Sequence, residues 1–204
     1  DRMWIIPHFE KMANDNAWLL RNYADAYMVF DDIFYKEVAE GIVSFFMKVL
    51  SDPEGGFFAS QDADVSPDDE GGFFTWSEND FKKTLNDEEY RVMSLYFLNE
   101  MGTMHHDRAK HVLYTPSTPA DISKLLKIEE DIVKKLIKSG TEKLLAERGR
   151  RKKPFIDKSL YTSLNGMVIS AILKASPALK DKNIKTFALK SLERVFDVNC
   201  SNGR

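Results

Sequence analysis

Two runs of apolar residues at helical spacing abut at Asp31-Asp32, and this junction constrains the fold more than any other feature of the chain. Upstream, Trp18, Leu19, Tyr23, Ala26, Tyr27 and Phe30 recur at intervals of three and four residues, which predicts a helix over 14–30. Downstream, Phe34, Val38, Ile42, Phe45, Phe46 and Val49 repeat the pattern over 33–50, until Asp52-Pro53-Glu54-Gly55-Gly56 ends it in a turn cluster. Helices joined by so short a link fold back on each other as an antiparallel hairpin.

The rest of the chain extends this theme with one interruption. Gly55-Gly56-Phe57-Phe58-Ala59-Ser60 is echoed by Gly71-Gly72-Phe73-Phe74-Thr75-Trp76, with the acidic stretch 61–70 between them. Aromatic and β-branched residues after paired glycines predict two short strands around a loop. Ser77-Glu-Asn-Asp80 reads as a capping box with Asp in place of Glu, opening a short helix to Leu85, and a further helix spans 87–98. Residues 102–114 are expected to be irregular or extended. Thr118-Pro119-Ala120-Asp121 combines a capping Thr, a Pro at the first helical position and an acid in the first turn, and helices over 121–126 and 129–147 follow. A basic run, 148–153, ends at Pro154. Residues 162–175 are apolar almost all round and predict a buried helix, and 184–196 form the last one. Strand–helix alternation is absent, which excludes a parallel α/β sheet.

Composition narrows the function classes. Of 204 residues, 29 are Lys or Arg and 32 Asp or Glu, so the net charge of −3 offers no electrostatic case for nucleic acid. No apolar run approaches the ~20 residues of a membrane helix. A single Cys, Cys200, excludes an internal disulfide framework and a Cys-rich zinc site. No phosphate-binding glycine loop or serine nucleophile elbow occurs. The acidic stretch departs from a calcium-binding EF-hand loop, with Pro67 at the glycine position and Phe73 at the bidentate glutamate position. We therefore expect no metal, no cofactor, no nucleic-acid partner and no membrane partner. No signal peptide is visible, and a cytoplasmic setting is the expectation.

The block Trp4-Ile-Ile-Pro7-His8-Phe9-Glu10-Lys11-Met12-Ala-Asn14-Asp15-Asn16-Ala17 resembles the Trp-x-x-Pro-His-Phe-Glu-Lys-Met-Leu-Tyr-Asp-Asn-Ala signature of the spermatogenesis-associated protein 20-like family. Asp62-Ala63-Asp64, Glu70-Gly71 and Phe74-Thr75-Trp76-Ser77 resemble a second block of that family. Pro154-x-x-Asp157 and Thr162-Ser163-Leu164-Asn165-Gly166 resemble a third, in the family's order. The resemblance implies a mainly α fold: a partial (α/α)6 toroid, six-hairpin glycosidase-like, made of antiparallel helical hairpins with a short β insertion. On that reading residues 1–204 are one incomplete toroid domain. The family's thioredoxin-like domain lies outside it, as the lack of a Cys-x-x-Cys agrees. About eight helices are visible where a closed ring has twelve, so an apolar edge left by missing hairpins is expected on 162–175 or 184–196. This chain departs from the family's Pro-x-x-Asp-Asp-Lys pattern at Lys158 and Ser159, and Leu164 stands where the family has Trp. A family chemistry that uses the triplet would be altered here.

In such a toroid, loops at one end of the hairpins ring a cavity, and their polar side chains are the site candidates. His8 could transfer protons near neutral pH with Glu10 as its orienter; alternatively, the pair anchors the helix start. Asp62 and Asp64 would share one side of an extended strand, as an acid and a base, or form part of a solvated acidic turn. Asp157 or Glu10 across the cavity is a better geometric partner for Asp62. Asp15, Asn16, Gln61 and Asn165 are candidate substrate contacts. Trp76 is a candidate stacking platform for a sugar ring, or plain core. Gly166 is expected to allow close packing beside Asn165. Two functions remain open: a carbohydrate-active enzyme, glycosidase-like or epimerase-like, with a sugar or other small-molecule ligand, or a non-catalytic helical module serving a thioredoxin-like domain.

Overall fold

The computed structural model describes residues 2, 5–67 and 69–199; Trp4 and Asp68, and Cys200 onward, lie outside the described residues. The chain forms two compact units. One, the hairpin unit, comprises 10–62 and the chain from Phe155 onward; the other, the inserted unit, comprises 63–154 and the chain up to Phe9.

In the hairpin unit, α1 (Ala13–Phe30) and α2 (Ile33–Val49) form the expected hairpin. Both aspartates at the junction have defined tasks. Asp31 adopts a left-handed conformation (φ 52°) and its N–H donates to Tyr27 O, closing α1. Asp32 accepts from Phe34 N and opens α2. The second hairpin is α7 (Thr162–Leu179) and α8 (Lys182–Asn199), turned by Lys180 in the same left-handed conformation. The helix of α7 runs one turn past its expected end, with Pro177 inside it. The two leading helices, α1 and α7, pack side by side and run the same way. Ala17 and Trp18 share a groove of about 310 Å³ with Ser163 and Gly166 near both N-termini, and two turns on Asp25 meets Lys174 at 2.6 Å. Equivalent helices of successive hairpins stacked in parallel is how a ring of hairpins is built. Leu20, Phe46, Phe57, Ile172 and Ala188, all 1 % exposed or less, form one continuous core.

Three two-residue strands tie the hairpins together: β1 (Lys11–Met12), β2 (Ser60–Gln61) and β3 (Ile156–Asp157), antiparallel in the order β1-β2-β3. Lys11 pairs with Gln61, Met12 with Ser60, Ser60 with Asp157 and Gln61 with Ile156.

The inserted unit contains α3 (Glu78–Thr84), α4 (Asp87–Phe97), α5 (Pro119–Leu126) and α6 (Glu130–Arg150). Reciprocal capping boxes start three of them: Ser77 with Asp80, Asn86 with Glu89 and Thr118 with Asp121. Its apolar contacts divide into two groups, one around Trp76, Phe81 and Met93 and one around Val92, Ile122 and Val133.

The expected strands over 55–60 and 71–76 do not form as such. Only Ser60 of the first copy is in a strand. In the second, the N–H groups of Phe74 and Thr75 both donate to Gly71 O, making a turn, and Trp76 alone bridges to His111. Gly71 (φ 67°) is required there, because a Cβ would stand 2.4 Å from the Phe9 ring. The basic run is also corrected: α6 continues through Arg150, longer than the expected end at 147. Gly166 is not a close-packing site, since a Cβ there would meet nothing within 4 Å. Of the two stretches expected to carry an apolar edge, α7 shows no exposed large apolar side chain, whereas α8 exposes Leu189 and Phe196 within 184–196 and Val198 just beyond it. The largest exposure is at the α1–α2 turn, where Met28, Val29, Phe30, Ile33 and Phe34 are 54–73 % exposed. No described helix is long and apolar enough to cross a membrane.

Candidate functional site

The short sheet sorts the candidate residues. Residues paired across antiparallel strands project to the same face, and neighbours along a strand to opposite faces. Ile156 and Gln61 share the face toward the core, where Ile156 packs against the hairpins and Gln61 is 5 % exposed. Gln61 is thus turned away from its neighbour Asp62. The opposite face carries Met12, Ser60 and Asp157. The pairing continues one residue further, since Asp62 N donates to Phe155 O at 2.8 Å. Extended one residue past the strand ends, the same register would set Asp62 beside Phe155 on one side and Glu10 on the other, on the face of Asp157. Asp62 is exposed and Glu10 and Asp157 are half-buried.

Phe155, 68 % exposed on the same face, was missed by sequence reasoning. The available signal was an aromatic residue between a basic run and the Asp157 motif. Asp157 is positioned by its own turn: Oδ1 accepts from Ser159 N at 2.9 Å. Bonds from the Ser159 hydroxyl and N–H hold the Asp157 carboxyl below its usual range, so it is ionised at neutral pH.

Other candidates are placed in supporting roles. Asn165, with 0 % exposure, is a buried clamp in the first turn of α7. Its Oδ1 accepts from Phe57 N at 2.7 Å, and its Nδ2 donates to Phe57 O and Tyr161 O. These bonds leave no face for a ligand. Asn16 Nδ2 donates to Met12 O at 2.8 Å, fastening β1 to α1, and Asp15 is exposed in the first turn of α1, where the helix dipole favours an acid.

In the inserted unit, His8 is exposed next to the buried Phe9, whose ring stacks on Phe74 at 5.8 Å. Asp64 Oδ1 accepts from Gly71 N at 2.8 Å, which makes it a fastener of the acidic loop. Trp76 is 2 % exposed, with the Arg151 guanidinium 3.9 Å from its ring centre and Phe81 edge-on, so its faces are covered and no sugar can stack on it. Arg151 Nη1 also donates to the carbonyls of Gly72, Phe73 and Thr75, clipping the turn to the end of α6. Among the described residues no group of three or more His, Cys, Asp or Glu is placed to hold a metal ion.

The chain is 30 % identical to spermatogenesis-associated protein 20 of Mus musculus, in an alignment covering 100 % of this chain and 29 % of that protein. Sequence similarity places the chain in the spermatogenesis-associated protein 20-like family. The Homo sapiens protein of that name is also 30 % identical, over 97 % of this chain and 28 % of its own length. The chain thus spans less than a third of the family proteins it matches. No family model matches it. Among solved structures, a family 76 glycoside hydrolase from a bovine Bacteroides thetaiotaomicron strain overlaps 92 % of this chain and 35 % of its own, at 12 % identity and a TM-score of 0.28. An overlap that loose carries no argument about chemistry.

Proposed function

We propose that the chain is part of a carbohydrate-active helical toroid, with Glu10, Asp62 and Asp157 as its acid–base groups and Phe155 as an apolar platform for a sugar ring. The sheet register that gathers three carboxylates beside an exposed aromatic carries this reading. By register Asp62 and Asp157 are diagonal neighbours on one face of the sheet. We assign them as a pair acting with a water between them, the arrangement of an inverting glycosidase. Asp157, kept ionised by Ser159, would act as the base on that water. Asp62 would deliver the proton to the departing oxygen, with Glu10 beside it. The same pair could move a proton on and off a sugar carbon in an epimerase-like reaction.

The test is turnover of aryl glycosides and free sugars by the intact protein. Asp62→Asn and Asp157→Asn should each lower the rate by ~10²-fold or more. Turnover indifferent to both would remove the site from the reaction. If no sugar is turned over, the second reading gains: a non-catalytic helical module beside a thioredoxin-like domain. Lys158 and Ser159 favour that alternative, because they replace the family's Asp and Lys and Ser159 ties Asp157 into a local turn.

A further inference from the structure

A cleft of about 360 Å³ in the inserted unit lies between α4, the 3-10 turn at Glu100–Gly102 and the bridge at His111. Three side chains that line it, Ser94, Asn99 and His111, each bury a polar atom that has no hydrogen-bond partner: Ser94 Oγ, Asn99 Nδ2 and His111 Nδ1. An unsatisfied buried polar group costs ~1–3 kcal/mol, and three from separate segments at one cleft form a concentrated deficit. The backbone around them is well anchored. Asn99 Oδ1 accepts from Met101 N and Gly102 N, which fixes the amide so that Nδ2 is the unpaired end. His111 exchanges both backbone hydrogen bonds with Trp76, at 2.8 and 2.9 Å.

The three groups define the complementary chemistry. Asn99 Nδ2 only donates, so the ligand must offer an acceptor, which a bare cation lacks. The Glu78 and Glu100 carboxylates line the same cleft and oppose an anion. Glu78 is itself held in place, with Oε1 receiving the Tyr90 hydroxyl and the Lys82 ammonium, each at 2.6 Å. Ser94 Oγ and His111 Nδ1 suit a group that both donates and accepts. Leu95 and Leu98 supply an apolar wall. Hydroxyl groups on a carbon ring meet all of these demands. The volume lies within the ~300–1,000 Å³ of small-molecule sites and far exceeds the ~30 Å³ share of one water.

We propose that this cleft binds a small neutral polyol of monosaccharide size, with Ser94, Asn99 and His111 as its hydrogen-bonding residues. The site is independent of the carboxylate face and needs no reaction there. Glucose, mannose, galactose and N-acetylglucosamine are titrated into the intact protein, followed by calorimetry and by the side-chain amide resonance of Asn99. At least one should bind at millimolar concentration or below and shift that resonance. Asn99→Asp keeps both cap bonds to the 3-10 turn but removes the donor, and should weaken binding ~10-fold, with Ser94→Ala weakening it several-fold. Asp62→Asn should leave the shift of the Asn99 resonance unchanged, since that signal reports the cleft and not the carboxylate face. Absence of binding by all four sugars at millimolar concentration, leaving an ordered water cluster as the only occupant, would overturn the proposal. So would binding that Asn99→Asp and Ser94→Ala both leave intact.

Discussion

The hairpin unit and the inserted unit are stabilised by different means. In the first, Phe46, Phe57, Leu20 and Ile172 belong to one apolar core that runs through all four helices, and its few buried polar groups, such as Asn165 and Ser191, hold the Phe57 and Gly56 backbone against α7 and α8. In the second, the apolar residues form smaller groups, and charged side chains do part of the joining. Glu89, 2 % exposed on α4, receives Lys143 Nζ at 2.7 Å on both oxygens and the Ser139 hydroxyl at 2.7 Å, both from α6. Arg151 fastens a three-carbonyl turn at the end of the same helix. In the inserted unit, where the apolar residues fall into smaller groups, directional bonds help define which neighbour α6 takes; in the hairpin unit one continuous core does most of this work.

Substitutions can break this contrast or refine it. Phe46→Ala opens a cavity against Phe57 in the continuous core and should cost about 4 kcal/mol in chemical denaturation, the largest single loss. A loss near 1 kcal/mol would mean that the core is less continuous than described. Lys143→Met leaves the Glu89 carboxylate buried with only Ser139 and the capping N–H of α4, and should cost about 2–3 kcal/mol, discounted because Lys143 is itself half exposed.

The same pair sets an acid limit. Burial pushes the Glu89 carboxyl up, but bonds from Lys143, Ser139 and the α4 cap outweigh it and leave the group below its ordinary 4.5. A carboxyl lowered in the folded state adds stability above its unfolded value, and that stability is lost as pH falls through the folded one. Protection factors of inserted-unit amides, corrected for the intrinsic pH dependence of exchange, should therefore fall as pH drops below about 4.5, and Glu89→Gln should flatten this dependence. Arg151→Lys keeps the charge but not the fork that reaches three carbonyls, and should cost about 1.5 kcal/mol. The smallest effect has the opposite sign. Gly41, inside α2 with nothing within 4 Å of a Cβ, should stabilise the hairpin unit by about 0.5–1 kcal/mol as Gly41→Ala.

Legibility of the fold in the sequence followed locality. The α1–α2 hairpin and the boxes at Ser77 and Thr118 depend on residues within four positions of one another, so spacing alone reveals them. The strands Lys11–Met12 and Ile156–Asp157 are too short for periodicity and exist only through partners far along the chain. The echoed Gly-Gly-Phe-Phe copies look alike, yet one feeds a strand and the other a turn, because Gly71 accepts two N–H groups. At the site, residue type suggested chemistry for Trp76, Gln61 and Asn165, whereas burial and bond direction assign them to structure. The sequence offers Asp157 as one candidate partner of Asp62; that the two are diagonal neighbours in a sheet depends on register and is not visible from residue type.

The chain leaves the hairpin unit after Asp62 and re-enters it at Phe155. During synthesis, α1 and α2 emerge first, with the face of α1 that α7 will cover still bare. At ~5–20 residues per second, the intervening stretch takes roughly 5–20 s to appear before α7 can arrive. The inserted unit, continuous but for its first nine residues, can settle during that interval. A pause within 63–154 therefore leaves half of the hairpin unit's core bare until α7 is made, and a truncation there leaves it bare.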